Sequence, residues 1–139
     1  MASYFTSFSL LFPLPDEAAR RYALELHQQA DRLRQEEDVA GFPADLRDQV
    51  EDWAFEATAE EVEGRPGLWL HSSEGGIDAV CAFLRHLLQK FDPAGRVTFE
   101  WSHDCSQPRT DAYGGGAALI TATEIKTMST HQWLQAQAA

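Results

Sequence analysis

Between His103 and Tyr113 the chain places an imidazole (His103), two carboxylates (Asp104, Asp111), a thiol (Cys105), a guanidinium (Arg109) and a phenol (Tyr113). Three glycines, Gly114 to Gly116, follow directly. A thiol beside a base or a cation is the starting point of nucleophilic catalysis, so Cys105 with His103 or Arg109 is one reading. Residues two apart on a strand point the same way without having to touch, and no oxyanion donor or third orienting group is evident. Zinc binding by His103, Asp104, Cys105 and Asp111 is a second reading, but no compact ligand pair has zinc spacing, and no metal is assigned. Phosphate cradling by the glycines is a third. It lacks a following helix and a Lys-Ser or Lys-Thr pair, so a flexible or bulged connection fits better, and no cofactor is assigned. A purely structural account pairs Arg109 with Asp111 and packs Tyr113 on Trp101. No catalytic residue is assigned. The candidate binding set is Trp101, His103, Asp104, Arg109, Asp111, Tyr113, Gly114 and Gly115.

The elements that must carry this loop are two strands. Val97, Phe99, Trp101 and His103 alternate with Thr98, Glu100, Ser102 and Asp104, the pattern of a half-buried strand. The return strand is expected from Ala117 to about Ile125. Upstream, Tyr4 to Leu14 has apolar groups on both sides, which suits a central strand ended by Pro13 and Pro15. Asp16 stands at an N-cap position before the stripe Tyr22, Ala23, Leu26, Ala30 and Leu33, which predicts a helix over 17–34 with His27 on its solvated face.

Trp53 to Val62 and Leu68 to Ser72 suggest a hairpin connected by Gly64 to Gly67, and Ala44 to Glu51 suits a short helix. Ile77, Val80, Cys81, Leu84, Leu87, Leu88 and Phe91 define the clearest helix, 77–91, with His86 read as solvated. The tail from 126 to 139 suits a short helix capped by Ser129 or Thr130, docked by Trp133 and Leu134. The order β-α-β-β-α-β-β makes 1–139 a single α+β domain. The expected fold is a ferredoxin-like sandwich, an antiparallel-rich sheet of about five strands with two helices on one face.

Composition bounds the function. The 139 residues are 44% hydrophobic, enough for a packed core rather than disorder. Lys and Arg number 11 against 22 Asp and Glu, a net charge of −11. Such a chain is poorly suited to bind nucleic acid phosphates directly. Glu36 to Glu63 holds eleven acids and one base, Arg47, nearly the whole surplus. A solvated face is the plain reading of that segment. A carboxylate decoy for phosphates is the sharper one, but a row of Glu56, Glu60 and Glu63 would require a helix there. Cys81 and Cys105 are too few and too far apart for a disulfide framework. No basic region precedes the first apolar run and no apolar run reaches about 18 residues, so a soluble, reducing, cytoplasmic setting is expected.

The element order, with Trp101-Ser-His-Asp-Cys-Ser-Gln-Pro-Arg109 and Asp111-Ala-Tyr-Gly-Gly-Gly116 beside the second helix, resembles the ferredoxin-like family named for the plasmid protein YubB. It also resembles short proteins of bacteria and their mobile elements. The resemblance covers residues 68–126 and lacks that family's Gly-Thr-Lys-Trp run. It implies the fold and a phage, plasmid or mobile-element setting, but no activity. The sequence therefore points to a non-enzymatic binding or accessory protein that meets a protein partner through its acidic segment or the hairpin, with no membrane contact. The alternative is a small enzyme or ligand-binding domain centred on Cys105.

Overall fold

Tyr4–Pro13 forms β1, the strand around which the sheet grows in both directions. The computed structural model describes residues 4–36, 41–109 and 112–138. After β1 come α1 (Glu17–Glu36), a 3₁₀ segment (Ala44–Asp52), β2 (Glu56–Val62), β3 (Arg65–Ser72) and α2 (Ile77–Phe91). Then follow β4 (Arg96–Cys105), β5 (Gly114–Thr121), β6 (Ile125–Ser129) and α3 (Thr130–Ala138). The protein is α+β, with one antiparallel sheet in the order β2-β3-β1-β4-β5-β6. Among the described residues no helix is long and apolar enough to cross a membrane.

The sheet has six strands where five were expected. The expected strand from Ala117 to Ile125 is a hairpin, β5 and β6, reversed at Ala122 to Glu124. The Thr121 hydroxyl accepts the N–H groups of Thr123 and Glu124 at 3.3 and 3.1 Å. A threonine side chain thus builds the turn that glycine or proline usually announces. The β2–β3 connection is also shorter than expected. Glu63 (φ 55°) and Gly64 (φ 77°) make a two-residue turn of the hairpin type, and Arg65, Pro66 and Gly67 belong to β3.

One face of the sheet is covered. Phe8, Leu10, Phe12, Leu68, Leu70, Phe99, Ala118 and Ile120 are buried and point toward α1 and α2. Helix α1 starts as its sequence demands, with the Asp16 carboxylate accepting the Ala19 N–H at 2.8 Å. Helix α2 starts at Gly76, which offers no capping side chain. The Asp52 carboxylate serves instead, accepting the Ala79 N–H. Burial and then Asp78 raise the Asp52 pKa, partly offset by that hydrogen bond. Trp53 and Phe55, expected in a strand, precede β2 and pack with Phe42 and Phe83 as an aromatic cluster, ring centroids 5.0–5.8 Å apart.

Two histidines placed on solvated faces by sequence are packed instead. His27 is 6% exposed, and its Nδ1 accepts the Trp53 indole N–H at 2.9 Å. Burial, ahead of the opposing charges of Asp31 and Glu56, lowers its pKa. His86 is held between Tyr22 and Asp45. At the tail, Ser129 caps α3 by accepting the Gln132 N–H at 3.1 Å, as expected. Trp133 and Leu134 do not dock; they are 55% and 57% exposed. The helix is held through its first turn, where Thr130 Oγ1 accepts the Gly115 N–H at 3.0 Å.

Candidate functional site

The chemistry-rich loop hangs from the ends of β4 and β5. Strand alternation puts Trp101, His103 and Cys105 on the side of the helices and Asp104 on the opposite side. His103 Nδ1 lies 2.8 Å from Thr6 Oγ1 across the β1–β4 ladder. Cys105 is buried, and its sulfur accepts the Gln107 N–H at 3.5 Å. The other thiol, Cys81, sits inside α2, where burial and then Asp78 push its pKa up to about 12. Both cysteines occupy the packed positions of small hydrophobes.

The rest of the expected set is dispersed. Arg109 is exposed and lies over the Tyr4 ring, 5.8 Å from its centroid. Asp111, and with it the expected Arg109–Asp111 pair, lies outside the described residues. Tyr113 ties the loop by donating its hydroxyl to the Cys105 carbonyl at 3.0 Å. The residue opposite Trp101 is Gly116, not Tyr113. The glycine run is not the flexible connection expected of it: Gly114, Gly115 and Gly116 are the first three residues of β5, paired with His103, Ser102 and Trp101. A Cβ at Gly116 would overlap the Trp101 ring and the Met128 carbonyl oxygen, so the glycine is there to admit the indole.

His103 and Asp104 contribute to a hollow of about 270 Å³ with Tyr4, Phe5, Thr6, Ala112 and His131. His131 was missed in the sequence, since nothing in the tail marks it. Its Nε2 is 2.8 Å from the Tyr113 carbonyl oxygen, which only accepts, so this nitrogen carries a proton. Neither imidazole is hydrogen-bonded to a thiol, and the hollow offers polar contact rather than an activated nucleophile. Among the described residues no group of three or more His, Cys, Asp and Glu side chains gathers to hold a metal ion.

A second polar cluster was also invisible in the sequence. The Tyr22 hydroxyl is 2.7 Å from His86 Nε2, and His86 Nδ1 is 2.9 Å from Asp45 Oδ2. These are the group types of a nucleophilic triad. Burial, followed by the charge of Asp45, raises the Tyr22 pKa and keeps the hydroxyl protonated. None of the three lines the hollow, and the relay ties α1, α2 and the 3₁₀ segment together.

A wide groove lies on the other side of the molecule. Ser9, Leu11, Thr98, Glu100, Ala117, Leu119, Lys126 and Met128 border a groove of about 850 Å³ on the sheet face away from α1 and α2. Leu11 and Met128 are 53% and 46% exposed there. Trp69, opposite Leu11 on β3, donates its indole N–H to Ser9 Oγ at 2.9 Å and stacks on His71. Acidic residues share this face, with Glu100 bordering the groove itself. Glu56 and Glu60 stand on edge strand β2 with Glu61 on its other side, so the helical carboxylate row of a phosphate decoy is not formed. Charges along an edge strand oppose pairing with another sheet, which accounts for these glutamates.

Comparison with protein families, with curated proteins and with solved structures returns no match.

Proposed function

We propose that this chain is a non-enzymatic binding protein whose contact surface is the open face of its sheet. The observation that carries the reading is the groove itself: β1, β4, β5 and β6 present Leu11, Leu119 and Met128 to solvent on a rigid, hydrogen-bonded platform. Contiguous exposed apolar surface on a rigid platform marks interaction sites more often than scattered single residues do. The β4–β5 hairpin, which also carries the chemistry-rich loop, supplies the middle of this surface. The order of the first four strands, β2-β3-β1-β4, supports assigning them to a ferredoxin-like core that β5 and β6 extend. An enzyme centred on Cys105 has less support, because His103 is engaged by Thr6 and the sulfur by Gln107.

Capture from the cell of origin tests the reading with two altered baits. Leu11→Glu with Met128→Glu places charge in the groove; Glu56→Gln with Glu60→Gln and Glu61→Gln neutralises the acidic edge. Partners retained by wild type and by the edge variant, and lost by the groove variant, support the open face. Partners lost only by the edge variant would transfer the function to the acidic segment.

A further inference from the structure

We infer that the outer edge of β6 is a docking site for an extended segment of a cationic partner, which adds to the sheet as one more strand. The inference goes beyond the open face, because it rests on backbone groups at the edge of the sheet and not on the apolar side chains of the groove.

Hydrogen bonds at both ends of the β5–β6 hairpin fix which way each backbone group of β6 points. The Thr121 N–H donates to the Glu124 carbonyl at 2.9 Å, and the Gly115 N–H donates to Thr130 Oγ1 at 3.0 Å. Alternate residues of β5 therefore turn toward β6, and the register makes Lys126 and Met128 the hydrogen-bonded partners of Leu119 and Ala117. Ile125 and Thr127 turn their backbone groups the other way. Among the described residues those N–H and C=O groups meet no further element. Thr127 is exposed, and α3 does not cover it. The bonds from Gly115 to Thr130 and from His131 Nε2 to the Tyr113 carbonyl fold that helix back over the start of β5.

The two edges of the sheet differ in charge. Edge strand β2 carries exposed Glu56, Glu60 and Glu61, which oppose pairing. β6 carries one charge, Lys126, paired with Glu124 at 3.1 Å, and from Thr127 to Ala139 the chain has no Asp, Glu, Lys or Arg. A strand added to an open edge draws affinity from main-chain hydrogen bonds and specificity from alternate side chains. Here its residue opposite Met128 lies on the open face, where Met128 is 46% exposed and suits an apolar neighbour. The rest of the chain selects the sign of the partner. A net charge of −11 attracts a cationic segment and repels an acidic one, a second copy included.

NMR titration of the full chain with a synthetic peptide of alternating lysine and valine tests this. The peptide is expected to shift the Ile125 and Thr127 amides and to slow their hydrogen exchange. Backbone N-methylation of every valine, or of every lysine, keeps the side chains and charge but removes the donors along one edge of the peptide. One methylated form is expected to lose affinity by at least about tenfold and the other to keep it. Thr127→Pro removes an outward donor without touching the β5 ladder, and is expected to weaken binding to the same extent while circular dichroism shows it folded. Leu11→Glu, in the groove on β1, is expected to change nothing. Absence of binding up to about 1 mM peptide overturns the inference. So does binding that both methylated forms retain, which is attraction between charges alone, or binding that folded Thr127→Pro leaves intact. Should Thr127→Pro not fold, the methylated peptides decide. Binding lost in Leu11→Glu but kept in Thr127→Pro moves the peptide to the groove, which overturns the edge and supports the open face. Ile125 and Thr127 amides that shift as the protein alone is concentrated name a second copy as the occupant and overturn the cationic partner.

Discussion

His27 shows how a single residue type misleads. It lies four residues after Ala23 and three before Ala30, both fully buried, so its position is on the apolar stripe of α1 even though its side chain is polar. The structure resolves the conflict by giving Nδ1 the Trp53 indole N–H as donor, which requires an unprotonated nitrogen. Burial lowers its pKa below the unfolded value of about 6.5, so the unfolded chain takes up this proton more readily than the folded one. Its contribution to stability is therefore full above about pH 6.5 and declines as the pH falls through that value toward the folded pKa. Urea unfolding between pH 7.5 and 5.5 is expected to show this loss, and His27→Gln to flatten it; an unchanged slope in the variant would assign the loss to other groups. Leu84, fully buried in α2, gives a simpler expectation. Leu84→Ala should cost about 2–5 kcal/mol by leaving a cavity, and a loss below about 1 kcal/mol would remove the residue from the core.

At the scale of elements, β1, α1, α2 and β4 were legible because each carries a long, regular apolar period or a clear stop, such as Pro13 and Pro15 after β1. The features that escaped depend on contacts distant in sequence. β6 was hidden because its turn is built from the Thr121 hydroxyl rather than from glycine or proline. The glycine run was read as a loop because glycine suggests flexibility, whereas the crowding that explains Gly116 comes from Trp101, fifteen residues earlier and directly opposite on the neighbouring strand. The groove was invisible for the same reason: half-burial of β4 was evident, but not which of its sides the helices would leave open. Gly116→Ala tests the strand assignment. A methyl group there forces the indole or the β6 backbone to move, and a loss of about 1–3 kcal/mol is expected, accompanied by a change in tryptophan fluorescence. A neutral substitution would mean that β5 does not pass this close to Trp101.

For the whole molecule, the distribution of charge distinguishes the two candidate contact surfaces. The 3₁₀ segment carries Asp45, Asp48, Glu51 and Asp52 and edge strand β2 carries Glu56, Glu60 and Glu61, whereas the groove is bordered by Glu100 and by Lys126, which pairs with Glu124 at 3.1 Å. Salt screens contacts made through charge without weakening apolar contact. Raising NaCl from about 0.05 to 0.5 M is therefore expected to leave partner capture through the groove in place, whereas contact through the acidic residues would loosen under the same change. Met128 lies in the groove and is one of only two methionines in the chain. The most direct measurement is the NMR shift of its labelled methyl group, assigned with Met128→Leu and followed as a partner captured from the cell of origin is added. The account predicts that the signal moves along a binding curve and that Leu11→Glu holds it at its free position. A methyl shift that is the same with and without the partner would contradict a contact surface on the open sheet face.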